Sequence, residues 1–172
     1  MSEAYNVEIK ARCPDLNAAR AALLKLEPEV VGTDRQVDTY FHAPEGRLKL
    51  REGTIEHHLI SYRRPDQAGP KSSAVRLYKP DDGEALKETL AHALEIEIVV
   101  KKTREIYFVN HVKIHLDAVD SLGTFVEVEA IGTEEEHEQL LHDCRRLMSV
   151  LGVEEGHLIE NSYSDLLLEQ KK

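Results

Sequence analysis

Apolar and polar residues alternate along most of this chain. In "NVEIKARC" (residues 6–13) Asn6, Glu8 and Lys10 fall on one side of an extended backbone, and Val7, Ile9 and Ala11 on the other. The same two-residue period predicts strands in "RQVDTYFHA", "GRLKLRE" and "EHHLISYRRP", with turns at "PEG" (44–46) and "EGT" (52–54), which together make an antiparallel meander. "AVRLYKP", "EIEIVVKKTREIYF", "HVKIHLDAV" and "DSLGTFVEVEAI" continue it, with turns near Asn110 and at Gly123. Between Arg64 and Ser73, "RPDQAGPKSS" holds two prolines and a glycine and reads as a loop, one use of which is a lid over a site.

Helical spacing occurs in fewer places. Leu16, Ala19, Leu23 and Leu26 form a stripe behind Asp15, an N-cap residue, and Pro28 follows the stripe. "DDGEALKETLAHAL" predicts a short helix through Leu86, Leu90 and Ala93. The longest helical pattern starts at Thr133, where Thr133 and Glu136 form a capping box, and runs through Leu140, Leu141, Cys144, Leu147, Met148 and Leu151 to Gly152. The tail "ENSYSDLLLEQKK" ends in a short helical segment.

Composition narrows the classes. A chain of 172 residues with 41% apolar content suits one domain with one sizeable core, so residues 1–172 are expected to form a single unit. The net charge of −10 argues against a surface built for nucleic acid or anionic membranes, both of which need an outward basic patch. Cys13 and Cys144 are far apart and lack zinc-knuckle or redox spacing, which suits a reduced, cytoplasmic protein. No signal peptide or membrane span is expected from the sequence, and both a monomer and a homodimer stay open.

Charge changes the picture once the strands are compared. Glu8 with Lys10, Lys49 with Arg51, Tyr62 with Arg64, Lys102 with Arg104, Lys113 with His115 and Asp117, and Glu127 with Glu129 each share one face of a strand. A single such pair is ordinary on the wet side of an antiparallel sheet. Here, however, the signs are segregated, several strands being basic on that face and one purely acidic. Three amphipathic helices also need apolar partners, and if they pack on the apolar strand faces from outside, the charged faces point inward. The expected fold is therefore α+β: an antiparallel sheet of about eight strands curled into a barrel, basic inside with an acidic patch on one wall. Such a lumen suits a polyanion, and the carboxylates suit the hard divalent cation that accompanies phosphates.

In order along the chain, "NVEIKAR", "DTYF", "GRLKLR", "LISYRRPD", "VKKTREIY", "HVKIHLDAVDSLGTFVEVEA" and "ENSYSDLLL" resemble the CYTH superfamily of triphosphate tunnel enzymes, which includes class IV adenylyl cyclases and thiamine triphosphatases. The resemblance spans about Asn6 to Leu168. It implies an eight-stranded antiparallel tunnel with helices outside and a Mg²⁺- or Mn²⁺-dependent reaction on inorganic triphosphate, thiamine triphosphate or ATP. By the same resemblance Glu8, Glu127 and Glu129 are metal carboxylates, and Lys10, Lys49, Arg51, Arg64, Lys102, Arg104 and Lys113 line the phosphate path. Lys71 and Arg76 are weaker phosphate candidates, and Asp117 orients a basic group or touches a metal-bound water. Hydrolysis is the leading reading, an adenylyl cyclase reaction releasing pyrophosphate the second, and non-catalytic binding of nucleotide or polyphosphate the third.

Two positions depart from the family pattern. Asn6 replaces the first acid of the usual Glu-x-Glu-x-Lys signature, leaving a second metal less well balanced. Lys113 stands where Arg is frequent, which keeps the charge but loses the bidentate fork. Few aromatic residues are present and no Trp, so no base-stacking platform is evident, and the nine histidines show no zinc spacing. Cys144 lies on an apolar helix stripe and reads as core.

Overall fold

The computed structural model describes residues 5–63, 71–72 and 74–172, with residues 71, 72 and 74 described by their backbone. The strands are β1 (Tyr5–Arg12), β2 (Glu29–Phe41), β3 (Arg47–Gly53), β4 (His57–Arg63), β5 (Lys71–Ser72), β6 (Ala74–Tyr78), β7 (Ile96–Val109), β8 (Val112–Val119) and β9 (Gly123–Gly132). The helices are α1 (Leu16–Leu24), α2 (Gly83–Leu94), α3 (His137–Val150) and α4 (Tyr163–Gln170). Every strand pairing is antiparallel, in the order β5-β1-β9-β8-β7-β2-β3-β4-β6.

β5 and β6 sit at opposite ends of that order, yet Ser72 and Ala74 are two residues apart in sequence. Two residues span at most about 7 Å. The sheet therefore curls until its two edges meet, one segment pairing with β1 through β5 and with β4 through β6. This is the expected barrel of eight long strands with helices outside, plus the two-residue β5. Part of the expected loop at 64–73 is thus strand, and residues 64–70 and 73 lie outside the described residues. β2 also starts earlier than the alternation indicates, at Glu29, because Pro28 and Gly32 interrupt the pattern; a register shift falls between Val30 and Gly32, where φ is 142°.

The apolar strand faces go where the alternation sends them. Val7, Ile9 and Ala11 of β1, Ile114 and Leu116 of β8 and Val126 and Val128 of β9 form the main core with Ala19 and Leu23 of α1 and Leu140, Cys144 and Leu147 of α3. A smaller core joins Tyr40, Ile98, Val100, Val119 and Phe125 to Tyr163, with Leu166, Leu167 and Leu168 of α4 packed against it. The Asp15 side chain accepts from the Ala18 N–H at 2.9 Å, which caps α1. The Glu136 carboxylate accepts from the Thr133 N–H at 2.8 Å, closing the expected box over a 3₁₀ turn that leads into α3. α2 lies over β2 and β3 without a fully buried residue. Cys13 and Cys144 are both buried and free. Among the described residues no helix is long and apolar enough to cross a membrane.

Candidate active site

The charged strand faces converge on a cavity of about 340 Å³ inside the curl, within the range of small-ligand sites. Lys10 of β1, Lys49 and Arg51 of β3, Lys102 and Arg104 of β7 and Lys113 of β8 line it, together with Glu8, Glu127 and Glu129. All nine were expected from the sequence. Arg76 is not among the lining residues: Val75 and Leu77 on either side of it face the cavity, so the two-residue period turns Arg76 to the exterior, where it is exposed. Arg64 lies outside the described residues, as does the side chain of Lys71, whose backbone pairs with Glu8.

The lumen is not simply basic. Asp38, on β2 opposite Arg51, is buried among the inward-facing cations and accepts from Lys49 Nζ at 2.8 Å, Lys102 Nζ at 2.8 Å and the Arg51 guanidinium at 2.9 Å through both Nε and Nη2. Asp117, buried on β8, takes a bidentate pair from Arg104 at 2.7 and 2.6 Å. With Asp38 and Asp117 buried among the cations and Glu8, Glu56, Glu127 and Glu129 lining the cavity, the six lining cations face six carboxylates among the described residues. Bare cations packed in a dry tunnel would carry a large desolvation penalty, and the buried acids offset it.

Both networks show in the proton affinities. Burial favours the neutral acid at Asp38, but Arg51, Lys102 and Lys49 override it and hold the carboxyl well below its usual range. At Asp117 burial is again overridden, by Arg104. Burial lowers Lys102 to about 7 despite Asp38 beside it, helped by repulsion from Arg51, Arg104 and Lys49.

The acidic wall is made by β1 and β9, whose register sets Glu8 opposite Glu129 and Lys10 opposite Glu127. Lys10 Nζ lies 3.9 Å from Glu8 and 3.5 Å from Glu127, and Arg104 Nη2 donates to Glu127 at 3.3 Å. Glu129 is different: burial raises its carboxyl, and Glu8 opposite raises it further. Asn6 donates to Glu129 at 2.5 Å, so the residue that departs from the family signature orients a carboxylate. Among the described residues no three of His, Cys, Asp and Glu gather as a ready-made metal site. Two facing carboxylates with excess negative charge nonetheless fit Mg²⁺ or Mn²⁺, since such ions are commonly held by one or two carboxylates, with phosphate oxygens and water completing the shell. Glu127, two residues before Glu129 on the same face of β9, is held by Lys10 and Arg104.

Several site residues carry no assigned role in the sequence reading, although Tyr62 and His115 fall on its charged strand faces. Tyr163, which opens α4, forms part of the cavity wall; its hydroxyl donates to Asp117 at 2.7 Å and its ring lies 4.2 Å from Lys10 Nζ. Burial and then Asp117 raise its hydroxyl well above the usual value. His115 is buried opposite Glu127, and neither ring nitrogen makes a hydrogen bond among the described residues; Nδ1 is 3.5 Å from a Glu127 oxygen. Burial, with Arg104 beside it, lowers His115 to about 4 and keeps it neutral at pH 7. Tyr40, Ile60, Tyr62, Val75 and Leu77 give the cavity the apolar side that the few aromatics did not reveal.

The architecture and site define a curled antiparallel sheet around a polyanion-sized chamber with cations on one side and paired carboxylates on the other. The chain belongs to the CYTH domain family, which it matches over residues 4–163. It is 31% identical over 176 residues to the adenylate cyclase CyaB of Aeromonas hydrophila, covering 94% of this chain and 88% of that protein. In structure it is similar to a candidate adenylate cyclase from Vibrio parahaemolyticus (TM-score 0.83, 20% identity, 97% and 99% of the two chains). It is also similar to HpAC1 from Hippeastrum, a candidate adenylyl cyclase with a dominant triphosphatase activity (TM-score 0.65, 16% identity, 96% and 95%).

Proposed function

We propose that this protein is a divalent-metal-dependent triphosphatase that hydrolyses inorganic triphosphate or the triphosphate of a small organic compound. The observation that carries this reading is the convergence of six cations from β1, β3, β7 and β8 on one cavity, facing the Glu8–Glu129 pair. Lys49, Arg51 and Lys102 are locked by Asp38, and Arg104 by Asp117, so they bind the phosphate chain without reorganising. Lys10 stands where cation and carboxylate sides meet and neutralises charge on the phosphoryl group closest to Glu8 and Glu129. Glu8 and Glu129 would hold Mg²⁺ or Mn²⁺, which when bound polarises phosphate oxygens and lowers the pKa of water. Arg104 and Lys102 stabilise the charge that moves onto the leaving phosphate.

A cyclase reaction is the second reading, favoured by the apolar side of Ile60, Tyr62, Val75 and Leu77, which suits a nucleoside beside the phosphates, and by the similarity to a cyclase of Aeromonas. The test is a product assay with Mg²⁺ and then Mn²⁺ on tripolyphosphate, thiamine triphosphate and ATP, comparing wild type with Glu129→Gln. Released phosphate that needs metal and is lost in the variant supports the hydrolase. Cyclic AMP with pyrophosphate puts the cyclase first, and metal-dependent binding without product makes the protein a binder.

A further inference from the structure

The turn between β3 and β4 is built around a carboxylate with no part in the chemistry above. Asp34, on β2, is wholly buried and accepts from the N–H groups of Ile55 and Glu56 at 2.9 Å each, from the Thr54 hydroxyl at 2.9 Å and from the Gln36 amide at 2.8 Å. Gly53 makes this closure feasible. A Cβ there would lie 2.7 Å from both Asp34 carboxylate oxygens and 2.5 Å from the Glu56 carbonyl oxygen, so only a residue without one lets the turn fold this tightly. The product of the arrangement is the direction of Glu56. Its carboxylate points into the cavity and accepts from Arg51 Nη1 at 2.8 Å, from Lys113 Nζ and from Gln36 Nε2 at 3.2 Å.

Arg51 and Lys113 come from different parts of the wall, β3 and β8, and both belong to the phosphate path. Burial alone would favour protonation of Glu56, but these two cations hold its carboxyl below the usual range, so it is an anion inside an anion site. A carboxylate and a phosphate make the same kind of charge-assisted hydrogen bonds to Arg and Lys. We infer that Glu56 is a built-in competitor of the substrate: it takes the place of a phosphate oxygen between Arg51 and Lys113, held there by Asp34 and Gly53.

This rests on reading the cavity as a triphosphate site. The displacement lowers the affinity of every anion that seats between Arg51 and Lys113 by the same factor. A triphosphate that also engages Lys10, Lys49, Lys102 and Arg104 starts from a higher affinity and still binds after that loss. A short phosphate product starts lower, so Glu56 speeds its departure.

The experiment is calorimetric titration of pyrophosphate and tripolyphosphate into wild type, Glu56→Gln and Glu56→Asp, with a chelator present so that nothing turns over. Neutralising the competitor in Glu56→Gln should tighten pyrophosphate and tripolyphosphate alike by roughly tenfold, the scale of one charged hydrogen bond. Glu56→Asp keeps the charge but withdraws it by one methylene, and should fall between wild type and Glu56→Gln for both anions. If Glu56→Gln does not fold by thermal melt, Glu56→Asp carries the comparison. Pyrophosphate binding that is unchanged or weaker in the folded variant overturns the inference, because Glu56 would then be a support that positions Arg51 and Lys113. Wild type binding neither anion, with the chelator or with Mg²⁺ restored, overturns the triphosphate reading instead.

Discussion

Replacing Asp38 with Asn is the most informative single perturbation of the wall. Asp38 is 1% exposed and is the shared acceptor for Lys49, Arg51 and Lys102, through four hydrogen bonds of 2.8–2.9 Å. Asn is nearly isosteric, so the change removes charge and leaves three buried cations facing one another. Removing one partner of a buried ion pair costs about 3–5 kcal/mol. For a chain of this size each kcal/mol is worth about 2–4 °C, so the melting temperature should fall by roughly 6–20 °C. Urea denaturation and a thermal melt measure both quantities. Tripolyphosphate should stabilise Asp38→Asn by more than it stabilises wild type, since the ligand then supplies the missing negative charge. The sign with pH follows from the depressed carboxyl. The Asp38 contribution is complete above the unfolded value of about 3.9 and is lost as pH falls through the lower folded value, so the deficit of the variant is full at pH 6 and shrinks below about pH 4. A loss under about 1 kcal/mol, or equal stabilisation of both proteins by tripolyphosphate, would show that Asp38 does not anchor the cation cluster.

Two further outcomes are expected. Lys102 is lowered to about 7 in the free protein, and a bound polyanion raises it again, so near pH 8 tripolyphosphate binding should take up as much as one proton and affinity should fall as pH rises above 7. Calorimetry in buffers of different ionisation enthalpy measures the uptake; the same uptake in Lys102→Arg would assign the proton to another group. Tyr163→Phe keeps the ring beside Lys10 and loses the hydroxyl that donates to Asp117, so it should destabilise by about 2 kcal/mol in urea denaturation and raise KM, whereas an unchanged midpoint would mean that this bond does not fasten α4 to the site.

The residues of the phosphate path were legible because a two-residue period places a side chain on a face regardless of what surrounds it. Lys49 and Arg51 need only their own strand to be assigned inward, and so do Lys102 and Arg104. The residues that organise the path were not legible. Asp38 sits in "DTYF" and shares the inward face with Tyr40, but nothing local says that it meets Lys102, 64 positions away. That meeting depends on the register of β2 against β7, where Asp38 is opposite Val100 and Gln36 opposite Lys102. Alternation makes Glu56 the first residue of a strand, whereas its direction is decided by Asp34 from a neighbouring strand. Among the described residues the basic lumen expected from the strands is a balanced lattice for the same reason, because counting cations strand by strand omits acids that arrive from other strands.

By itself, the sequence determined what depends on local spacing: which faces are apolar, where α1 and α3 are capped, that the charged faces share one side of a curled sheet, and the family to which the chain belongs. Tertiary structure alone decided which charges meet. Strand register and the closure of β5 and β6 onto opposite edges set ångström-scale distances between residues far apart in the chain, and Coulomb and desolvation energies depend on those distances, with no imprint on the order of the residues.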